Sequence, residues 1–328
     1  MTEKLPHIAI LDDYQNAAFR FADWNLLQNL AVVNAYSDHL NDEDALVSRL
    51  GEYEIVCIMR ERTPFQRTLL SRLPNLKLIV STGTGNASLD TAACQEFGIH
   101  VAHTGFLHHA APELTWSLLM ALSKNLLGEC NALRSGVWQT SVGTDLKGKT
   151  IGIIGLGNIG KRIAGYAKAF DMNVIAWSSN LTESAASSYG VQWVSKEELL
   201  IASDFVSLHL RLSDRTQGII SAKDLLLMKP SAYLINTSRG KLVDQSALVE
   251  VLKQNKIAGA ALDVFDIEPL PEESPFRYLT NVLASPHIGY VTEDNYRLFF
   301  EDTVSAIHRF LKVDESKKVL LQDSKESK

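Results

Sequence analysis

Cysteine is scarce. Cys57, Cys94 and Cys130 are odd in number, far apart and outside any C-x-x-C pair, so neither a disulfide framework nor a thiolate zinc site is signalled, and a reducing compartment fits best. No apolar run reaches the ~20 residues of a membrane span. The most apolar stretch, LTWSLLMALSKNLL, is interrupted by Ser117, Ser123 and Lys124. The start, MTEKLPHIAILDDY, lacks the basic-then-apolar layout of a secretion signal, and a cytoplasmic protein is expected. Lysine–arginine runs are absent and the net charge is -6, which removes the electrostatic basis for gripping nucleic acid or an anionic membrane. No repeat of solenoid period is present.

What remains is an ordinary globular composition. Hydrophobic residues at 46% suffice for a packed interior, and 328 residues are too many for one core, so two domains are expected. Short β-branched runs (HIAIL, LAVVNAY, YEIVCIM, LKLIV, IHVAH) alternate with amphipathic stretches, then the rhythm restarts with TIGIIG, NVIAWS, VQWV, FVSLHL, AYLINTS, IAGAALDVF and NVLAS. Such alternation predicts an α/β fold of two doubly wound parallel sheets, Rossmann- or flavodoxin-like. The expected division is residues 1–104 plus 295–328 as one domain and 105–294 as the other. One long helix is predicted from Pro112 to about Arg134, a capping box at Ser195 and Glu198, a last helix from about Asn295, and a mobile charged tail, DESKKVLLQDSKESK.

TIGIIGLGNIGKRIAGYAKAF places Gly155, Gly157 and Gly160 after an apolar strand and at the mouth of a helix. In that context the three glycines make a tight turn, let the backbone approach a pyrophosphate, and let helix and strand pack closely. A dinucleotide, NAD or NADP, is therefore expected. The acid that ordinarily ends the next strand and binds the ribose is missing: NVIAWSSN puts Ser178 there, followed by Ser179 and Asn180. Asp171 lies in the turn before that strand and cannot substitute. Without the acid the discrimination against NADP is lost, and Arg211 is a weak candidate for a 2′-phosphate contact.

Ligands of open α/β sheets sit outside the carboxyl ends of the strands. There the sequence carries Arg239 after AYLINTS, Glu268 after AGAALDVF and His287 after NVLAS. An arginine can bind a carboxylate bidentately and polarise a carbonyl; a histidine can pass a proton to or from an alkoxide; a carboxylate behind it would hold its tautomer. Singly each has a bland reading as an ion pair, surface charge or cap. Together, downstream of a dinucleotide turn, they are the parts of hydride transfer.

The stretches LKGKTIGIIGLGNIG, INTSRGKLVDQSAL, ALDVFDIEPLP and SPHIGYVT, with STGTGNASLD earlier, resemble those of the D-isomer-specific 2-hydroxyacid dehydrogenase family over nearly the whole chain. The resemblance implies Arg239 as ligand of the substrate carboxylate and carbonyl, His287 as acid/base and Glu268 as its partner. It further implies Asp263 on the nicotinamide carboxamide, Asn158, Ile159 and the segment of Thr237, Ser238 and Arg239 along the cofactor, and backbone amides of Gly83, Thr84 and Gly85 on the substrate carboxylate. It implies residues 1–104 plus 295–328 as the substrate domain, 105–294 as the dinucleotide-binding domain, an active-site cleft between them, and a homodimer acting on a small 2-oxo or 2-hydroxy acid. Ser178 departs from the family's acidic position. Arg60, ending IVCIM, is a substrate-site candidate with a surface ion pair as the alternative reading. His108 and His109 lack a third ligand, and no metal is expected. Trp138 fits core packing or a subunit contact equally. A dinucleotide-sensing binding protein, corepressor-like and without turnover, is the rival reading, which the arginine, glutamate and histidine argue against.

Overall fold

The computed structural model describes residues 4–326, with side chains as far as residue 313. The chain divides into two units, one running to Leu107 and resuming at Val291, the other His108–Tyr290.

In the first unit the five apolar runs become β1 (His7–Ile10), β2 (Val32–Ala35), β3 (Ile55–Ile58), β4 (Leu78–Ser81) and β5 (His100–His103). All pair in parallel, in the order β2-β1-β3-β4-β5. β3 and β4 are buried at every position, the pattern of strands covered on both faces. Two of the connecting helices start where a carboxylate can accept an orphan amide: Asp42 takes the Ala45 N–H and Asp90 the Ala93 N–H, each at 2.8 Å. The last helix, Glu293–Glu326, closes this unit with Phe299, Phe300 and Ile307 buried. It takes in most of the charged tail; the mobility expected there concerns side chains and a terminus outside the described residues.

The second unit carries seven parallel strands, β6 (Thr150–Ile154), β7 (Asn173–Trp177), β8 (Gln192–Trp193), β9 (Phe205–Leu208), β10 (Tyr233–Asn236), β11 (Gly259–Leu262) and β12 (Val282–Ala284). Their order is β12-β11-β10-β9-β6-β7-β8, so the chain winds outward from β6 in both directions and β6 is the switch point. The two-residue period of a strand sorts side chains to opposite faces. Ile153, Ile235 and Ala261 enter a core with Leu119 and Ile163, while Ile154, Leu234 and Ala260 enter another with Leu199 and Leu225. The capping box at Ser195 and Glu198 forms in both directions.

One expectation fails. The helix foreseen from Pro112 to Arg134 is two helices, Ala110–Ser123 and Leu126–Arg134, broken at Asn125, whose φ of +47° is left-handed. Asparagine tolerates that conformation better than most residues. The break frees the Ser123 carbonyl to accept the Thr144 N–H at 2.7 Å, tying the later loop to the helix end.

At the carboxyl ends of β1 and β2 lies a buried pair that sequence reading missed. His39 Nδ1 is 2.7 Å from Asp12 Oδ1, its Nε2 is 2.8 Å from Asn41 Oδ1, and Thr63 donates to Asp12 Oδ2 at 2.7 Å. Acceptors at both ring nitrogens favour the protonated ring. The hydrogen bond to Asp12 raises the His39 pKa above the ordinary imidazole value, outweighing burial and the neighbouring Arg62 charge. A raised folded-state pKa gives stabilisation that is complete below the unfolded value of about 6.5 and fades as pH climbs through the folded one. In urea unfolding the wild type is expected to lose more stability between about pH 6 and about pH 9 than His39→Gln does, and coincident pH profiles would refute this role.

Candidate active site

The glycine turn sits at the carboxyl end of β6. Gly155 has φ +103°, and a Cβ there would lie 2.6 Å from the His209 carbonyl oxygen, so both backbone angle and space require glycine. A Cβ on Gly160 would come within 2.2 Å of the Gly155 carbonyl oxygen, which fixes how closely the helix Asn158–Ala169 approaches the turn. Gly157, the N-cap of that helix, is different: nothing lies within 4 Å of a Cβ there, and no side chain caps the helix. Open space before uncapped amides at the positive end of a helix dipole fits a pyrophosphate. On the neighbouring strand, Ser178 follows β7 half-buried, with Ser179 and Asn180 exposed beyond it; Asp171, at the opposite end of β7, faces Lys147 at 3.3 Å.

His209, at the end of β9, escaped sequence reading. Its Nε2 meets Ser207 Oγ at 2.9 Å, its Nδ1 is buried without a partner, and burial lowers its pKa to about 3, so the ring is neutral. It serves as wall material behind Gly155. No sequence signal separates it from a titrating histidine.

The three suspected catalytic side chains stand after β10, β11 and β12, which are neighbours in the sheet. Asn236, buried at the end of β10, folds the next turn back on itself by accepting the Ser238 N–H at 3.0 Å and donating to the Arg239 carbonyl at 2.9 Å. Ser238 Oγ donates to the Leu208 carbonyl, Thr237 Oγ1 meets Thr115 Oγ1 at 2.7 Å, and the Arg239 guanidinium donates to the Ser238 carbonyl at 2.6 Å. Gly240 lets this turn rest directly on the Phe265 backbone, since a Cβ would lie 2.2 Å from the Phe265 carbonyl carbon. The Arg239 turn thereby touches the loop that carries Glu268.

Glu268 is held by both oxygens. Oε1 accepts the Phe265 N–H at 2.8 Å, and Oε2 lies 2.6 Å from His287 Nδ1. With Nδ1 committed to the carboxylate, Nε2 is the nitrogen left for proton exchange. The imidazole also packs edge-on against Tyr290, centroids 5.5 Å apart. His287 adopts φ +51°, a conformation that costs a non-glycine residue about 1–3 kcal/mol unless its surroundings impose it.

Asp263 imposes it. Wholly buried after β11, its Oδ1 accepts the Ser285 hydroxyl at 2.6 Å and the Ile288 N–H at 2.9 Å, and its Oδ2 accepts the Gly289 N–H at 2.9 Å. Burial raises its pKa, opposed by those three donors and the His287 charge. Sequence reading assigned Asp263 to the cofactor alone. Here it brackets His287 on both sides, a role carried by Ser285 and Gly289 of the SPHIGYVT stretch.

In the first unit, Arg60 lies two residues beyond β3 with φ +51°. Its N–H donates to Thr82 Oγ1 at 2.9 Å, its Nη1 to the Thr82 carbonyl at 3.2 Å, and its guanidinium lies 5.0 Å from the Phe106 ring centre. Gly83 (φ +83°) admits that guanidinium, because a Cβ would sit 1.7 Å from Arg60 Nη1. Arg60 and the Gly83–Gly85 backbone are thus brought together. The Gly83 N–H itself is committed to Thr104 Oγ1 at 2.8 Å. Among the described residues no group of three or more His, Cys, Asp or Glu could hold a metal ion, and no helix is long and apolar enough to cross a membrane.

Residues 116–289 match the family described as D-isomer specific 2-hydroxyacid dehydrogenase, NAD binding domain. The chain is 41% identical over 238 residues to a glyoxylate reductase of Thermococcus litoralis, covering 70% of this chain and 72% of that protein. It is 33% identical over 291 residues to a hydroxypyruvate reductase of Thermotoga maritima, covering 87% and 94%. A crystal structure of a phosphoglycerate oxidoreductase from Vibrio cholerae o395 superposes with TM-score 0.90 at 39% identity, covering 94% of this chain and 100% of that one.

The two inner glycines separate folding from binding. Gly160→Ala should lower the unfolding free energy by about 1–3 kcal/mol through overpacking. Gly157→Ala should hold or raise stability while weakening NADH binding about tenfold or more, as read by fluorescence titration. Undiminished affinity in Gly157→Ala would mean that the pyrophosphate lies elsewhere.

Proposed function

The chain belongs to the D-isomer-specific 2-hydroxyacid dehydrogenase family, and from that premise we propose that it reduces a small 2-oxo acid to the D-2-hydroxy acid at the ends of β10, β11 and β12. The observation that carries this reading is the 2.6 Å contact between Glu268 Oε2 and His287 Nδ1. Glyoxylate and hydroxypyruvate are the substrate class to test first, because relatives covering most of the chain are named for their reduction.

A nicotinamide dinucleotide held on the glycine turn of Gly155, Gly157 and Gly160 would supply or accept the hydride at the substrate C2. Everything else falls to side chains. Arg239 binds the substrate carboxylate and polarises the carbonyl being reduced. His287 gives a proton from Nε2 to the forming alkoxide, or takes it back in the reverse direction. Glu268 fixes the ring's tautomer and holds the imidazolium, while Asp263 holds the loop on which the ring stands. Arg60 and the Gly83–Gly85 backbone are the candidates that the family resemblance adds for the substrate carboxylate, and of these the Gly83 amide is already spent on Thr104. A binding-only sensor would have no use for the Glu268–His287 pair.

A homodimer belongs to the same reading. Helix Leu126–Arg134 buries none of its residues, and Leu126, Leu127, Leu133, Val137, Trp138 and Val142 are exposed, Trp138 at 76%. Core packing is therefore not what Trp138 does within the chain. The loop carrying it is clamped to the helix by Glu129, which accepts from the Thr140 N–H and hydroxyl and from Ser141 Oγ, and whose pKa these bonds lower to about 2. A pinned apolar surface of this kind fits a second copy of the chain, the commonest partner of a soluble enzyme. The free cysteines, two of them buried, suit the cytoplasm.

His287→Ala is expected to lower kcat by about 100-fold or more in an NADH-consumption assay with glyoxylate or hydroxypyruvate, with NADH affinity retained. Unchanged kcat would remove His287 from the chemistry. Replacing Leu133 and Trp138 together by Glu should yield monomers in sedimentation; a retained dimer mass would place the subunit contact on another face.

A further inference from the structure

Resting on the reading of the second unit as the dinucleotide site, we infer that this enzyme takes NADPH at least as well as NADH, and that Arg211 is the residue that binds the 2′-phosphate.

Three observations combine. First, the strand end that faces the adenosine ribose in this fold carries no acid: Ser178 is half-buried after β7, and Ser179 and Asn180 are exposed. The nearest following carboxylate, Glu183, lies inside the next helix, beyond its N-cap Thr182. Two hydroxyls and an amide can donate to a phosphate, whereas an acid would repel it.

Second, a cation stands on the other flank of the glycine turn. β9 and β7 are the two neighbours of β6. The His209 carbonyl and the Leu210 side chain both close on Gly155, Leu210 Cδ2 lying 2.9 Å from a Cβ built there, and Arg211 is the next residue. Its backbone is fixed, because Thr216 Oγ1 donates to the Arg211 carbonyl at 2.6 Å and accepts the Ser213 N–H at 2.8 Å. Across two strand spacings, about 10 Å, an extended arginine and a phosphate together bridge from the β9 end to the β7 end.

Third, that cation is not already neutralised. Arg211 is exposed and, among the described residues, forms no ion pair. Of the two cations on the helix that follows the turn, Lys161 and Arg162, Lys161 is engaged: its ammonium lies 4.1 Å from the Tyr189 ring centre and donates to the Tyr189 hydroxyl at 2.8 Å. An unneutralised guanidinium opposite a strand end lacking its acid is the arrangement expected of a site that selects a phosphate over a hydroxyl.

The test compares NADPH with NADH, by affinity from fluorescence titration and by kcat/KM, in the wild type, Arg211→Ala and Ser178→Asp. The wild type should favour NADPH or show parity. Arg211→Ala should lower the NADPH-to-NADH ratio about tenfold or more, as expected for loss of a charge-assisted hydrogen bond. Ser178→Asp should invert the ratio. A wild type that prefers NADH tenfold, or a ratio unmoved in Arg211→Ala, overturns the inference. Because the affinities are read without any 2-oxo acid, they decide this point even if no substrate is turned over, so the two readings fail separately.

Discussion

The carboxylate of Asp263, enclosed at the end of β11, accepts one hydroxyl and two backbone N–H groups from the five residues Ser285 to Gly289. A buried carboxylate is costly unless its lone pairs are used, and here the donors that use them flank His287. That necessity holds His287 in a left-handed conformation which a free loop would not keep, and the conformation presents Nδ1 to Glu268. Remove the carboxylate and neither the turn nor the pairing has a reason to persist.

The same logic of spent hydrogen bonds organises the neighbouring turn. Asn236 closes the Thr237–Arg239 segment with its side-chain amide, and Gly240, lacking a Cβ, lets that segment rest on the loop bearing Glu268. The Arg239 turn is therefore fixed by Asn236 of its own strand, and the His287 turn by Asp263 at the end of the neighbouring strand. Rigid support of this kind holds side chains in one mutual arrangement.

Much of this was legible in the sequence. Twelve apolar runs correspond to the twelve strands among the described residues, because short apolar runs between turn signals fit little else. The glycine turn was legible because its spacing reflects contacts between residues only a few positions apart. The strand-end suspects followed from topology, since parallel strands place all their carboxyl ends on one edge. Less legible were the break at Asn125, which depends on what the Ser123 carbonyl meets twenty-one residues later, and the commitment of the Gly83 amide to Thr104.

Sequence by itself determined the kind of element at each position, the existence of a dinucleotide turn and the absence of an acid at Ser178, because these are properties of local spacing and residue type. Tertiary structure decided which histidine is paired with a carboxylate. His287 and His209 both follow apolar strands, yet one ring faces a carboxylate at the loop surface and the other is enclosed, neutral and only half-partnered. Burial and hydrogen-bond partners set that difference, and both come from residues distant in the chain that only folding brings into contact.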